Sequence, residues 1–299
     1  MSGPGSRGPG SSGPGSRGTV DYLSNAFGPE RAAAWEAAIA AQGLAIKIQR
    51  ADDDGFTDPD TMVARMDALG IATLIVAASD PETHASGFAF SDVAATFGEV
   101  DAMAASHPGR FAALWTVSPE RGMAGVGRAE EALADERVVG LYVHTHSHDR
   151  PFDHADYYPY YALADRTGVP VVMQAGISGG RMPSEPGRPI GIDRPALYFP
   201  DVSFVLSHTG WPWVDEAIAM ALKFRNVYLG TASYPPRRWP PALVEFLRHV
   251  GRSKVLFGTN FPTVGHRHAL GQLGELELDD TVRHGLLEAN ARGIFGRLP

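Results

Sequence analysis

The sequence predicts an α/β chain folded as a (β/α)8 TIM barrel. Three observations predict it. Short β-branched runs alternate with helical patterns from Thr19 onward, eight candidate strands can be counted, and no glycine-rich phosphate loop follows the first of them. Repeated βα units build a parallel sheet. An open doubly wound sheet would more often stop at five or six strands and carry that loop. A chain of 299 residues with 44% hydrophobic content can bury one large core of this kind as a single domain.

The elements follow in order. Residues Ser2 to Gly18 contain only Ser, Gly, Pro and Arg, and the heptapeptide Ser-Gly-Pro-Gly-Ser-Arg-Gly starts at Ser2 and again at Ser12. The glycines keep no three-residue period, so residues 1–18 are expected to be a disordered leader rather than a collagen-like helix, and 19–299 the barrel domain. The strands are expected at Thr19–Asn25, Ile71–Ala78, Phe111–Val117, Val138–His144, Val169–Gln174, Val202–His208, Asn226–Thr231 and Lys254–Asn260. Helical patterns lie between them at Asp60–Leu69, Phe90–Ser106, Gly125–Asp135, Tyr157–Thr167, Val214–Lys223 and Pro241–Val250, and a last helix spans Asp279–Phe295. Two segments exceed what barrel connections need: Phe27–Pro59, with the Asp52-Asp53-Asp54 run, and Ala175–Pro200, rich in Gly, Pro and Arg. Both begin at the carboxyl end of a strand, where barrel sites are built, which suits a lid; the acidic run itself reads as a solvated loop.

Composition excludes several functions. A formal net charge of −8 and a pI near 5.7 argue against nucleic-acid or anionic-membrane partners. With no cysteine, disulfides, thiolate metal sites and a Cys nucleophile are impossible. The sequence contains no apolar run of about 18 residues and no secretory signal core, so a cytoplasmic protein is expected.

Alternation on the fourth strand places Val139, Leu141 and Val143 toward the helices and turns Gly140, Tyr142 and His144 into the barrel, with His144 near the mouth. His146 and His148 continue the two-residue spacing, so an extended strand could align three imidazoles as a metal site. Alternate residues of a strand stand about 7 Å apart, however, which is too far for all three to reach one ion without a bend. His208 ends the sixth strand on the catalytic face, followed by Thr209-Gly210-Trp211-Pro212-Trp213, where glycine permits close approach and two indoles can exclude water. Ser207 beside it points to the opposite strand face, and no Gly-x-Ser-x-Gly elbow exists, so a serine-hydrolase triad has no support.

The segments Ser207-His208-Thr209-Gly210-Trp211-Pro212-Trp213 and Phe257-Gly258-Thr259-Asn260-Phe261-Pro262, with Asn290-Ala291-Arg292 in the last helix, resemble the amidohydrolase-related family, in its aminocarboxymuconate-semialdehyde-decarboxylase-like branch. The resemblance implies a metal-dependent-hydrolase-like barrel, hydrolase or carbon–carbon lyase chemistry and often a homodimer. It also exposes a departure. Where the family carries Asp-x-His-x-His on its first strand, this chain has Asp21-Tyr22-Leu23-Ser24-Asn25. The family's fifth-strand ligand histidine is Gln174 here, its ligand aspartate is Asn260, and its fourth-strand basic position is Tyr142. Only His208 survives, at a position that the resemblance marks as a general acid/base.

Three amides and a leucine supply no charge and only weak carbonyl donors, so no metal and no other cofactor is expected at the inherited site. The expected reading is a metal-independent enzyme acting on a small, reactive cyclic or aromatic acid, by hydrolysis of a lactone or activated ester or by lyase or isomerase chemistry. His208 is its main acid/base, titrating near pH 6.5, with Tyr142 and His144 as catalytic partners. Asn25, Gln174, Asn260, Trp211 and Arg181 would bind substrate; Arg188, Arg237 and Arg238 are further candidates for a carboxylate. Two alternatives stay open: a catalytically silent binding or subunit protein, and a metal enzyme with its site relocated near His144.

Overall fold

In the computed structural model, which describes residues 17–43, 55–80 and 93–298, eight strands run parallel in sequential order. They are β1 (Thr19–Ser24), β2 (Ile71–Ser79), β3 (Phe111–Thr116), β4 (Val138–Val143), β5 (Val171–Gln174), β6 (Phe204–Ser207), β7 (Val227–Gly230) and β8 (Val255–Leu256). Their burial is continuous except at Ala72 and Tyr228, because inner and outer faces are both covered, as a parallel barrel requires. The ring closes through main-chain bonds past the end of β8: Tyr22 N donates to Phe257 O (3.1 Å), Asn260 N to Leu23 O (2.8 Å) and Asn25 N to Phe261 O (2.8 Å). The expected (β/α)8 architecture is therefore the observed one.

Side-chain phase separates two cores. Inside the barrel, Tyr22, Ile75, Leu114, Tyr142, Val172, Val205 and Leu256 pack together, and Ile294 and Phe295 of the C-terminal helix join them. Outside, Leu74, Ala113, Leu141, Met173, Leu206 and Leu229 pack against the surrounding helices. Val139 departs from the expected alternation and lies with the interior set. The reason is a register shift, where Ala113 pairs with Val138 but Leu114 pairs with Gly140, so one extra residue resets the phase of β4.

Other differences are local. The helix expected from Phe90 begins at Phe97, capped by Thr96 and Glu99 in a capping box, after Ala95–Thr96 pair with β2; residues 90–92 lie outside the described residues. The helix expected from Gly125 starts at Gly122. Phe27–Pro59 contains a helix, Pro29–Gln42, with Pro at its start, Glu30 in its first turn and Gly43 in the left-handed cap. Ala175–Pro200 contains a short helix, Asp193–Tyr198. The last helix is continuous but takes a π-type turn at Gly285–Ala289. The acidic run and nearly all of the leader lie outside the described residues, and no described helix is long and apolar enough to cross a membrane.

Candidate active site

A cavity of about 270 Å³ opens at the carboxyl ends of the strands. It gathers Asn25, Tyr142, His144, Gln174, His208 and Asn260 from five different strand ends, residues separated by up to 235 positions. Trp35 and Ile39 of the helix Pro29–Gln42 also line it, with Ile177 and Met182 from the segment after β5 and Tyr234 after β7. Two expected binders stay out of the lining: Trp211 is 42% exposed, with its ring 6.2 Å from Tyr234, and Arg181 is exposed with its backbone N–H bonded to Gln42. Arg188 pairs with Glu216 and lies over Trp213, while Arg237 pairs with Glu275, so both guanidinium groups are engaged outside the cavity; Arg238 is exposed. Among the described residues, no Lys, Arg, Asp or Glu lines the cavity.

His208 reaches the cavity in a way that strand parity does not foresee. On β6 the inward residues are Val205 and Ser207; Ser207 pairs in register with Gln174, and its hydroxyl shares a 2.7 Å hydrogen bond with Tyr22 inside the barrel. His208 follows with φ of 60°, Thr209 with 56° and Gly210 with 73°. This left-handed turn swings the imidazole from the outward phase into the mouth. Burial drives the imidazole's pKa down to about 3, helped by the neighbouring His146, so His208 is neutral at pH 7 rather than an ordinary titrating histidine. Its Nδ1 is buried without a hydrogen-bond partner among the described residues.

The three spaced histidines do not lie along one strand. β4 ends at Val143, and His144 caps a one-turn helix, Thr145–His148, accepting at Nδ1 from Ser147 N (3.3 Å). A backbone N–H can only donate, so the proton of neutral His144 sits on Nε2. Burial, with His146, His148 and His208 nearby, holds its pKa well below the usual value. His146 instead donates from Nε2 to Gly176 O (3.0 Å), and His148 Nδ1 meets Glu120 (3.0 Å). The expected alignment of the three imidazoles on one strand face is not what the structure shows: the chain turns into a helix and each ring faces a different partner. Among the described residues, no cluster of three or more His, Cys, Asp or Glu is placed to hold an ion.

The residues at the family's ligand positions do not fit a divalent ion either. Leu23 packs as hydrocarbon in the interior. Asn25 Nδ2 donates to Asn260 Oδ1 (2.9 Å) and Phe261 O (3.0 Å), and Asn260 Nδ2 donates to Ser233 Oγ (2.7 Å). Tyr142 OH donates to Gln174 Oε1 (2.8 Å). Two of the three amide oxygens that could face a cation are thus committed to neutral donors, and none carries charge. Beneath them Asp21, fully buried, accepts from Leu23 N, Thr259 N, Thr259 Oγ1 and His266, tying β1 to the turn that bears Asn260.

Sequence reasoning missed Trp35, Ile39, Ser233 and Tyr234. The Pro29-Glu30 start and Gly43 stop of the first helix were readable signals; nothing local marks Ser233.

The family model described as "Amidohydrolase" matches residues 30–297. No curated protein matches the chain. Among solved structures, an uncharacterised TIM-barrel protein from Bordetella bronchiseptica superposes with a TM-score of 0.75 at 19% identity, covering 94% of this chain and 99% of its own. The 2,6-dihydroxybenzoate decarboxylase from Rhizobium gives 0.67 at 16% identity, with coverage of 94% and 99%. The 5-carboxyvanillate decarboxylase from Novosphingobium aromaticivorans, complexed with manganese and 4-hydroxy-3-methoxy-5-nitrobenzoic acid, gives 0.65 at 14% identity, with coverage of 96% and 98%. These likenesses concern the fold. With the family match spanning nearly the whole barrel, the chain belongs to the amidohydrolase family.

Proposed function

We propose that the protein is a metal-independent hydrolase that opens a small, reactive cyclic or aryl ester. The observation that carries this reading is the convergence of one neutral imidazole, His208, with fixed amides and an apolar wall in a single cavity, whose described residues include no cluster of three or more His, Cys, Asp or Glu placed to hold an ion. A metal-bound water attacks stable amides because the ion lowers its pKa to about 7. One imidazole contributes only about 10² to 10⁴ in rate, which suffices for a carbonyl that is already reactive. In the proposed step His208 takes a proton from water as the water oxygen bonds to the ester carbon, and returns it to the departing ring oxygen. A free carboxylate on the substrate, expected from the sequence, finds no cation among the described lining residues, so an uncharged ester suits the cavity better.

A second reading, decarboxylation of a hydroxylated aromatic acid, is favoured by the decarboxylases among the structural neighbours. The test is a turnover screen on dialysed protein with aryl lactones, aryl esters and hydroxybenzoic acids, with and without chelator. Ester or lactone opening that survives chelator supports the hydrolase. Activity that chelator abolishes and manganese or zinc restores overturns metal independence, and carbon dioxide release without ester opening favours the second reading.

A further inference from the structure

Three successive strands of the barrel leave the sheet through a non-glycine residue in the left-handed region, and all three residues line the cavity. They are His208 after β6, with φ of 60°, Ser233 after β7, with φ of 70°, and Asn260 after β8, with φ of 52°. Asn tolerates this conformation; serine at such a position is uncommon, and glycine would hold it without steric cost. Strain of this kind collects at sites where a side chain is needed in a place that the regular backbone cannot supply.

Phase shows what the strain achieves at Ser233. Ala232 is fully buried and belongs to the interior set, so ordinary alternation would send the next side chain outward. The left-handed turn brings Ser233 into the mouth instead, the same device that delivers His208 from the adjacent strand. Asn260 Nδ2 donates to Ser233 Oγ at 2.7 Å, and an amide nitrogen can only donate. The serine proton must therefore point elsewhere, and no described residue accepts it. The hydroxyl is thus oriented by the pair Asn25–Asn260, with its donor hydrogen left for whatever occupies the cavity.

We propose that Ser233 contacts substrate, donating its Oγ–H to the carbonyl oxygen of an uncharged ester or lactone. The proposal rests on the reading of this cavity as the reaction site. The linked amides of Asn25 and Asn260 thereby hold a hydroxyl donor at the mouth of the barrel, placed to polarise a carbonyl.

The test uses the full-length protein with two probes, dihydrocoumarin for turnover and coumarin, a planar neutral lactone, for equilibrium binding by calorimetry. Ser233→Ala and Ser233→Gly are expected to bind coumarin about tenfold more weakly than the wild type, the loss of one well-placed hydrogen bond. Ser233→Gly should do so with an unchanged or higher melting temperature, because glycine relieves the backbone. A merely structural serine would lower the melting temperature in Ser233→Gly and leave coumarin affinity alone. Wild-type coumarin affinity in either variant overturns the proposal, and so does failure of the wild type to bind coumarin. If the wild type binds coumarin through Ser233 yet never opens dihydrocoumarin, the contact stands and the hydrolase reading falls.

Discussion

His208 shows how burial changes what a residue can do. An exposed imidazole titrates near pH 6.5 and serves as acid or base in neutral solution. Burial and the neighbouring His146 hold this one to about 3, so it rests as a neutral acceptor and donor. Among the described residues its Nδ1 has no hydrogen-bond partner to orient the ring, and a base of this strength suits reactive carbonyls. Once a substrate is in hand, the kcat/KM profile is expected to be flat between pH 5.5 and 8, a window chosen to span the ordinary histidine pKa of about 6.5; an inflection near 6.5 would contradict a buried, neutral His208 in the free enzyme. His208→Ala should lower kcat by about 10² or more while the far-UV circular dichroism stays unchanged. Stability carries the same signature. Because the folded pKa lies below the unfolded one, the unfolded chain binds the extra proton between about pH 6.5 and 3, and stability falls as pH drops through that window. A single such group contributes a slope of about 1.4 kcal/mol per pH unit. Denaturant melts of His208→Gln should lose that part of the acid sensitivity, while His144, shifted in the same direction, keeps a share.

At the scale of elements, the site depends on how strands end rather than on how they run. Asp21 satisfies two backbone N–H groups, a threonine hydroxyl and His266 across the β1–β8 seam, and His266 stacks on Phe261 with ring centroids 4.9 Å apart. Asp21→Ala leaves these buried donors unpaired and should cost about 3 kcal/mol or more in chemical denaturation, with loss of cavity function following from the displaced Asn260 turn. Equality with wild-type stability would show that the seam holds without it. Tyr22 fills the space under the site so tightly that a Cβ on Gly230 would stand 2.0 Å from its hydroxyl, and one on Gly258 would stand 2.4 Å from its ring. Gly230→Ala is therefore expected to destabilise by roughly 1–3 kcal/mol through overpacking, measurable as a lowered denaturation midpoint. The helix Pro29–Gln42 presents Trp35 and Ile39 to the cavity and packs through Trp35 against Phe56 and Val93, away from the two main cores.

For the whole molecule, the architecture of the closed barrel rests on the two cores and the strand ladder. An ion that binds the folded state stabilises it by RT ln(1 + [L]/Kd), so the melting temperature climbs with the ion's concentration. Adding manganese or zinc to dialysed protein is expected to leave the melting temperature where it is; a concentration-dependent rise, abolished in His208→Ala, would show that the mouth takes a cation. The order of strands and helices, the single barrel and the family were legible in the sequence, because period-2 and period-3.6 patterning and the two motifs around His208 and Asn260 are local. So was the set Asn25, Tyr142, His144, Gln174, His208 and Asn260, through positions that the family resemblance marks. Three things were decided only by the tertiary structure. Val139 changed face because a bulge is set by the neighbouring strand's register. His144, His146 and His148 parted because the chain turned into a helix where its strand pattern could have continued. The chemistry of His208 and the placement of Ser233 depend on which distant segments desolvate the mouth and which φ the strand ends must adopt to close it, and both are properties of packing between residues far apart in the chain.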